Sequence, residues 1–271
     1  KINVEILSKN KNFSFIKKNV QKKIFIECDE IYNLACPASP KKYQKNPLDT
    51  IKTNIFGTIN LLEIAKKNNA KIFQASTSEV YGDPLIHPQG EDYRGNVNII
   101  GVRACYDEGK RLAESIFFDY YRTHNINIKI ARIFNTYGPN MNNDDGGVVS
   151  NFILSALKGS PLIIHGTGEQ TRSFCYVSDT VSGICKLMNS NKKVLGPINI
   201  GSNNEITILT LAKKIIKLTK SNSKIIKVKK AQDDPIKRRP KLSLAKKLLN
   251  WEQKIKLDNG LERTINYFKN K

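Results

Sequence analysis

The sequence lacks several features that would place it in well-defined protein classes. It contains no apolar run approaching the roughly 18 residues of a membrane-spanning helix, and no signal peptide opens it. Its three histidines are scattered, and its five cysteines show no CxxC or other metal-ligand spacing. An odd number of unpatterned cysteines favours reduced thiols. We therefore expect a cytoplasmic protein with no metal site and no membrane partner.

Acidic residues are also scarce. The chain has 24 Asp and Glu against 45 Lys and Arg, a net charge of +21. Such an excess is compatible with nucleic-acid binding, but the lysines are spread along the whole chain rather than gathered in one arm. We therefore expect no nucleic-acid partner, and a lysine-rich surface whose positive field attracts an anionic substrate. With 271 residues, 39% of them hydrophobic, the chain can form a core domain with a smaller lobe.

Glycine is missing where a dinucleotide-binding fold needs it. Such a fold begins with a strand and a glycine-rich turn, whose amides hold a diphosphate at a helix N-terminus. No GxxGxxG pattern opens this chain, and residues 1–11 contain no glycine. The Gly-x-Gly pattern at Gly166 and Gly168 precedes a predicted strand rather than a helix, so it does not predict a phosphate loop.

What the sequence does contain is a polar cluster at the end of a predicted strand. Residues 70–75 alternate between apolar and polar and are bounded by turn residues, which predicts a buried strand. The cluster Ser76–Gly82 follows directly. Open α/β sheets carry their chemistry at the carboxyl ends of strands, so this cluster is a candidate site.

A tyrosine and a lysine follow this cluster in a predicted amphipathic helix. Tyr106 and Lys110 lie four residues apart and so share one helix face. A nearby ammonium stabilises a phenolate, which makes tyrosine a usable base, and Thr77 would orient a substrate alcohol. An isolated Tyr-x-x-x-Lys pair is usually only a half-buried tyrosine beside a solvated lysine. The placement after a strand tipped with Ser and Thr favours a hydride-transfer enzyme.

Strand and helix patterns alternate along the rest of the chain. This alternation predicts an α/β fold with a Rossmann-like, doubly wound parallel sheet. A helix is predicted over residues 49–67, in which Gly57 would allow close packing of the helix on the sheet. The predicted strands are 30–35, 71–76, 127–134, 161–164, 198–201 and 224–228, and further helices are predicted at 106–124, 149–157, 207–218, 243–249 and 257–268.

Six stretches carry a resemblance to a known family: Asn33–Pro40, Ser76–Pro84, Cys105–Arg111, Arg132–Pro139, Val148–Phe152 and Gln170–Asp179. They resemble the UDP-glucuronate decarboxylases, the UDP-xylose-forming branch of the extended short-chain dehydrogenases. The resemblance extends from about Asn12 to the C-terminus, and six motifs in the same order make it specific. It implies NAD as the cofactor and UDP-glucuronate as the substrate.

The resemblance also assigns residues to three roles. Catalysis is implied for Tyr106, Lys110, Thr77, Ser78, Glu79 and Arg172. Cofactor binding is implied for Asn19, Leu34, Ala35, Thr53, Ala75, Tyr106, Lys110 and Thr136. Substrate binding is implied for Lys52, Asn135, Arg172 and Arg238, of which Arg238 would contact the diphosphate. Three positions depart from the family pattern: Asn19 replaces an Asp, Gly147 a usual Arg, and Lys241 a frequent Asp.

The implied domain organisation is a core with a smaller substrate lobe. Residues 1–195 would form the NAD-binding core, with 140–165 contributing to the lobe, and 196–271 would form most of the lobe. By the resemblance, the first βα unit and the next strand are absent. The intact catalytic residues favour a partial reading frame over loss of the cofactor, and the bare chain is expected to bind NAD poorly. Relatives pair through helices like those around Asp49 and Tyr106, which implies a homodimer.

The implied reaction starts with oxidation at C4 of the sugar. Tyr106 would take the hydroxyl proton while NAD takes the hydride, and the resulting 4-ketone lies β to the carboxylate and lets carbon dioxide leave. Return of a proton and the hydride gives UDP-xylose. Ser78 favours this reaction, because the related 4,6-dehydratases carry Asp there. The alternatives are a nucleotide-sugar 4,6-dehydratase or epimerase, or an impaired remnant that only binds nucleotide sugar.

Overall fold

A computed structural model describes residues 2–141 and 146–270 of the chain. Its α-helices are α1 Ile2–Leu7, α2 Pro40–Tyr43, α3 Pro47–Lys52, α4 Thr58–Asn68, α5 Ala104–His124, α6 Val148–Leu157, α7 Val177–Met188, α8 Ile208–Thr219, α9 Ser243–Leu249 and α10 Leu257–Lys269. Its strands are β1 Glu30–Asn33, β2 Lys71–Thr77, β3 Ile128–Ile133, β4 Thr136–Tyr137, β5 Leu162–His165, β6 Thr171–Ser173, β7 Cys175–Tyr176, β8 Ile198–Ile200, β9 Glu205–Thr207, β10 Ile225–Val228 and β11 Lys237–Arg238.

The core is a four-stranded parallel sheet in the order β1-β2-β3-β8. Side chains alternate across its two faces, so neighbours such as Ile72 and Phe73 enter different apolar clusters. Helices α4 and α5 cover the Ile72 face, and α7 and α9 cover the Phe73 face. Both faces are therefore buried under helices, which confirms the prediction of a doubly wound parallel sheet.

The helix predicted over residues 49–67 is present but not uniform. Helices α3 and α4 are joined by a single π-helical turn, Thr53–Gly57, so the segment runs on from Pro47 to Asn68. A Cβ on Gly57 would lie 2.9 Å from a methyl carbon of Val20, a residue of the N-terminal segment. The expectation that Gly57 packs the helix on the sheet is therefore wrong, because its small size admits the Val20 side chain instead.

A second apolar core lies beyond the sheet. Helices α6, α8 and α10 pack around it together with the β5–β10 pair. A small sheet in the order β11-β6-β9 lies beside it and carries Arg172 and Arg238 on neighbouring strands. Strand β8 pairs with the core sheet although it follows residue 195. The predicted division at residues 195 and 196 stays a prediction.

The N-terminal part forms helix α1 and then an irregular segment. None of residues 8–29 lies in a strand, and β1 has β2 as its single neighbour among the described residues. A wide cleft of about 1220 Å³ separates residues 23–29 from helix α4. Phe15, Ile16 and Phe25 are exposed in this region. Residues 142–145, within the segment 140–165 that is predicted to contribute to the lobe, lie outside the described residues.

Candidate active site

Tyr106 and Lys110 lie on the first turns of helix α5 and face the carboxyl end of β2. Both side chains are buried. The Lys110 ammonium donates to the main-chain carbonyl of Ala75 over 2.9 Å, and it lies 5.9 Å from the centre of the Tyr106 ring. Thr77 ends strand β2 and supplies a hydrogen bond to the phenol. The helix period and the strand end thus bring together the three residues that the sequence singled out.

The phenol of Tyr106 is not ionised at rest. Burial raises its pKa, the neighbouring Cys36 thiol raises it further, and the hydrogen bond from Thr77 opposes them only in part. Burial also lowers the pKa of Lys110, since the ammonium loses hydration there. Desolvation is the largest influence on the pKa of Tyr106, and the support of its phenolate by Lys110 stays a prediction.

Glu79 lies in a short 3₁₀-helix, Ser78–Tyr81, that follows β2. One of its carboxylate oxygens accepts from Arg238 and the other accepts from Arg103. Burial alone would raise the pKa of Glu79, but the charges of Arg238 and Arg103 outweigh it and lower the pKa. Glu79 therefore stays ionised, held between a guanidinium from the small sheet and one from the start of helix α5.

The ion pairs continue from Arg103 to Arg172 through Asp234. The Asp234 carboxylate lies 2.9 Å from the Arg172 guanidinium and 3.7 Å from that of Arg103. The side chain of Arg172 also donates to its own neighbour, the Thr171 carbonyl, over 2.7 Å. The direct partner of Glu79 is Arg238 on β11, and Arg172 stands at the paired position on the neighbouring strand β6.

A cleft of about 350 Å³ opens on this array. Glu79, Arg103, Asp107 and Arg238 line it together with residues 96–98 and 233–235. Four nearly buried polar atoms beside it have no hydrogen-bond partner among the described residues: Nε of Arg103, Nε of Arg238, Oδ1 of Asp107 and Oδ2 of Asp233. Unpaired buried polar atoms are costly, so a cleft beside them that both arginine and carboxylate side chains line suits a polar ligand that can pair with them.

Comparison with known proteins agrees with this geometry. The family model described as GDP-mannose 4,6 dehydratase matches residues 8–264. UDP-glucuronic acid decarboxylase 6 of Arabidopsis thaliana is 56% identical over 249 residues, which cover 92% of this chain and 72% of the relative. UDP-glucuronic acid decarboxylase 1 of Danio rerio is 52% identical over 268 residues, covering 99% of this chain and 64% of the relative. The chain belongs to the UDP-glucuronic acid decarboxylase family.

Solved structures extend the comparison beyond the decarboxylase family. The UDP-glucuronic acid 4-epimerase of Bacillus cereus, in complex with UDP-glucuronic acid and NAD, matches with a TM-score of 0.88 at 27% identity, over 99% of this chain and 85% of that one. A UDP-glucose 4-epimerase of Thermotoga maritima with UDP-glucose matches with a TM-score of 0.83 at 27% identity, over 89% and 77% of the two chains. These matches confirm the Rossmann-like fold.

The cofactor residues predicted from the family resemblance fall into two groups. The first group is Ala75 and the loop that includes Leu34 and Ala35. Cys36 in that loop affects the pKa of both Tyr106 and Lys110, which indicates that the loop lies beside these two residues. The Asn54 amide holds this loop by a 3.2 Å hydrogen bond to the Cys36 sulfur. The second group lies further out.

This outer group contains Asn19 and Thr53. Asn19 is exposed, and its side chain accepts from the amide of Gln21 over 2.9 Å. The Gln21 side chain donates in turn to Thr53 over 3.0 Å and to Asp49 over 2.7 Å. These bonds attach the irregular N-terminal segment to helix α3 and its π turn.

The remaining predicted residues lie on different sides of the decarboxylase fold. Thr136 shares a 2.9 Å hydrogen bond with Thr180 of helix α7, and the Oδ1 atom of Asn135 is buried without a partner among the described residues. Lys52 is exposed at the end of helix α3. Ser78 is buried in the 3₁₀-helix between Thr77 and Glu79. Their roles in binding or catalysis stay predictions.

Three residues at the site were missed by the sequence interpretation. Arg103 stands three positions before Tyr106, and its place one helical turn away from the tyrosine was an available signal. Asp107 is 5% exposed, and burial together with the charge of Glu79 raises its pKa to about 7. Tyr43 stacks on Tyr106 with ring centres 4.9 Å apart and planes 5° apart. No local pattern marks Tyr43, because it reaches the site from helix α2.

A buried hydrogen-bond network supports the site from behind. Glu114, one turn after Lys110 on helix α5, accepts from Ser76 over 2.5 Å and from Arg132 over 2.8 and 3.0 Å. Arg132 then donates to the Tyr81 hydroxyl over 3.0 Å, and that hydroxyl donates to Asn199 over 2.8 Å. The network ties helix α5 to strands β2, β3 and β8.

The sequence also predicts that the chain has no metal site and no membrane partner. Among the described residues, no group of three or more His, Cys, Asp or Glu is arranged to hold a metal ion. None of the described helices combines the length and the apolar character needed to cross a membrane. Each of the five cysteines is a free thiol.

Proposed function

We propose that this chain catalyses the NAD-dependent decarboxylation of UDP-glucuronate to UDP-xylose through a 4-keto intermediate. The observation that carries the proposal is the position of the Tyr106–Lys110 helix face beside the paired Glu79 and Arg238. The first pair can move a proton at a sugar hydroxyl, and the second presents fixed charges next to it. Family membership and the related epimerase complex support the substrate and the cofactor.

The residues at the ends of β1 and β2 suit the nicotinamide end of NAD. A lysine ammonium anchored on a main-chain carbonyl can donate to a ribose hydroxyl while it faces a tyrosine. When bound, NAD accepts the hydride from C4 of the sugar and later returns it. We assign the holding of NAD to Asn19, Leu34, Ala35, Thr53, Ala75, Tyr106, Lys110 and Thr136.

Tyr106 acts as the base and then the acid at the C4 oxygen. It accepts the hydroxyl proton when the 4-ketone forms and returns a proton when the alcohol is restored. The Lys110 ammonium stabilises the phenolate, and the Thr77 hydroxyl orients the sugar alcohol. Since burial raises the pKa of Tyr106, the phenol must first lose its resting proton before it can work as a base.

Decarboxylation itself needs little covalent help. Once C4 is a ketone, the C5–C6 bond breaks, its electron pair moves into the ketone as an enolate, and C6 leaves as carbon dioxide. Glu79, fixed between Arg238 and Arg103, supplies an ionised carboxylate close to the reacting carbons. Such a charge disfavours the substrate carboxylate in the ground state more than neutral carbon dioxide. A proton then returns to C5.

Substrate binding would use the arginines and Asn135. Arg172 and Arg238 present planar guanidinium groups that suit a diphosphate or a carboxylate. Lys52 and Asn135 would complete the contacts to the nucleotide sugar. Ser78 favours decarboxylation over 4,6-dehydration, since elimination of water needs an added acid at that position.

We also propose that the chain pairs as a homodimer in the cytoplasm. Leu48, Phe56 and Leu112 are 67%, 51% and 44% exposed on helices α3 and α5 and the π turn between α3 and α4. Large apolar side chains on adjoining helices suit a second copy of the same surface. Free thiols at all five cysteines support a reducing compartment.

Mass spectrometry of UDP-glucuronate incubated with NAD and the chain tests the proposed function. At NAD concentrations high enough to offset the poor cofactor binding expected of this chain, we expect the loss of carbon dioxide from the nucleotide sugar and the appearance of UDP-xylose. The Tyr106→Phe variant is the matched control, because it lacks only the hydroxyl and should leave the substrate unchanged. Formation of a UDP-galacturonate epimer, which chromatography separates from the substrate of equal mass, would overturn the proposal in favour of an epimerase. Dehydration of UDP-glucose, with UDP-glucuronate left unchanged, would overturn it in favour of a 4,6-dehydratase.

A further inference from the structure

Gln89 lies outside the catalytic groups, yet it is fully buried and bonded on several sides. Its main chain forms an isolated parallel β-bridge with Pro240. The Gln89 amide donates to the Arg239 carbonyl over 2.9 Å, and the Gln89 carbonyl accepts from the Lys241 amide over 2.8 Å. One residue therefore holds both sides of Pro240, which has no amide of its own to donate.

The side chain of Gln89 adds a further bond to the same segment. Its Oε1 atom accepts from the Arg239 amide over 2.9 Å, and its Nε2 atom donates to the Ile86 carbonyl over 2.7 Å. The carboxamide thus joins the loop before it to the strand end that carries Arg238. Both ends of the carboxamide are satisfied, so its orientation is fixed.

The segment held in this way positions Arg238. Successive side chains of an extended chain point to opposite sides, so fixing the amide of Arg239 fixes the direction of its neighbour. Arg238 points to Glu79 and to the Gly82 carbonyl, which accepts from it over 3.0 Å. Arg239 points away, and its guanidinium lies 3.8 Å from the Glu205 carboxylate.

The hydrogen bonds that join Gln89 to residues 239 and 241 form what we call the clamp, and Asn199 connects this clamp to the core of the protein. The Asn199 amide group donates to the Gln89 carbonyl over 3.0 Å, and its oxygen accepts from Tyr81. The Tyr81 ring lies under the Arg132 guanidinium, which pairs with Glu114 on the catalytic helix. The clamp is therefore connected by hydrogen bonds and ion pairs to the same elements that hold Tyr106 and Lys110.

We propose that Gln89 is a positioning residue for the decarboxylation, acting through Arg238. Its carboxamide holds the main chain at Arg239 so that the Arg238 guanidinium meets the Glu79 carboxylate. The proposal rests on the proposed function for its kinetic consequences, and on the hydrogen-bond geometry alone for its structural ones. A residue that served only the general stability of the fold would not act specifically through Arg238.

A double-mutant cycle on the full chain separates these two roles. We expect Gln89→Met, which keeps the length but loses both the acceptor and the donor of the carboxamide, to lower kcat roughly tenfold. This is about the effect of losing the buried hydrogen bond to the Arg239 amide. We expect Arg238→Met to lower kcat more, and Gln89→Met to lower it no further in the Arg238→Met background. A full tenfold additional loss in the double variant, or a wild-type kcat for Gln89→Met, would overturn the proposal.

Hydrogen exchange tests the clamp without reference to activity. We expect faster amide exchange in a peptide spanning residues 237–243 of Gln89→Met, and unchanged exchange in strand β2. The matched control is Gln253→Met, which removes a glutamine bonded over 2.6 Å to the Ile255 carbonyl, away from the cleft. Unchanged exchange at residues 237–243 would refute the clamp. Changed exchange in a chain that releases no carbon dioxide would instead refute the proposed function and leave the clamp standing.

Discussion

The Arg238 guanidinium and the Glu79 carboxylate form a buried ion pair between residues that stand 159 positions apart in the chain. The pair joins the tip of strand β2 to the small sheet that carries Arg172 and Arg238, the two arginines proposed to bind the substrate. It also explains why Glu79 stays ionised at a site that burial would otherwise neutralise, because the charges of Arg238 and Arg103 compensate its desolvation. Its chemical role can be tested directly.

Replacing Glu79 by Gln removes the charge while keeping the shape of the side chain. We expect the rate of carbon dioxide release to fall by a factor on the order of 100 or more, because a fixed charge beside the reacting carbons is lost. The matched control is Glu252→Gln, which removes an exposed partner of Lys246 at 3.3 Å. A wild-type rate for Glu79→Gln would mean that the carboxylate serves only to hold the two arginines.

Much of the fold and part of the site could be predicted from the sequence. The strands at β1, β2, β3 and β8 and the helix carrying Tyr106 follow from short-range periodicity, and so does the shared face of Tyr106 and Lys110. The π turn at Thr53–Gly57 could not be predicted, because the helical spacing of the apolar residues predicts one continuous helix over this segment. Local patterns report local structure only.

The charged array around Glu79 shows where such prediction ends. Arg103 precedes Tyr106 by three residues, so the helix period could have identified it. Asp234 reaches Arg103, and Arg238 reaches Glu79, only through the tertiary fold. The choice between Arg172 and Arg238 as the partner of Glu79 depends on the register of β6 and β11. No spacing in the sequence encodes that register.

Asp107 should make the stability of the protein depend on pH in the neutral range. Burial and the charge of Glu79 raise its pKa to about 7, above the usual 3.8, so between these values the folded chain binds more protons than the unfolded chain. The free energy of unfolding should therefore fall as pH rises from about 4 to about 7. The lowered pKa of Glu79 has the opposite sign and acts below this window.

The variant Asp107→Asn removes this titration. We expect its free energy of unfolding to exceed that of the wild type at pH 8 by on the order of 1 kcal/mol or more, and the difference to shrink at about pH 5. Urea denaturation at the two pH values measures it. Asp119→Asn, on an exposed stretch of the same helix, is the control and should show no such change. Parallel pH curves for wild type and Asp107→Asn would contradict the assignment.

The pH dependence of the rate should report the ionisation of Tyr106. Because burial raises the pKa of this phenol and only the deprotonated form accepts a proton, we expect kcat/KM to rise with pH through the neutral and basic range. Lys110→Met should move this rise to higher pH and lower the rate, since the phenolate loses its nearest positive charge. Tyr106→Phe should have no activity and an unchanged melting temperature. A rate that falls with rising pH would show that another group limits the reaction.

Two variants of Tyr43 can separate the contribution of its ring, which stacks on Tyr106, from the contribution of its hydroxyl to stability and activity. Its phenol oxygen is buried and has no hydrogen-bond partner among the described residues, and burial raises its pKa. Tyr43→Phe removes that oxygen and should leave the free energy of unfolding unchanged or slightly higher. Tyr43→Leu loses the contact with Tyr106 and should lower the free energy of unfolding by roughly 1 kcal/mol or more. It should also lower kcat, because the Tyr106 ring is no longer held on that side.

Urea denaturation and carbon dioxide release measure the two effects on the same variants. Tyr43→Phe could instead lose as much activity as Tyr43→Leu while keeping its stability. The Tyr43 hydroxyl, rather than its ring, would then be the group needed for activity, and its unpaired oxygen would mark a contact to the bound substrate.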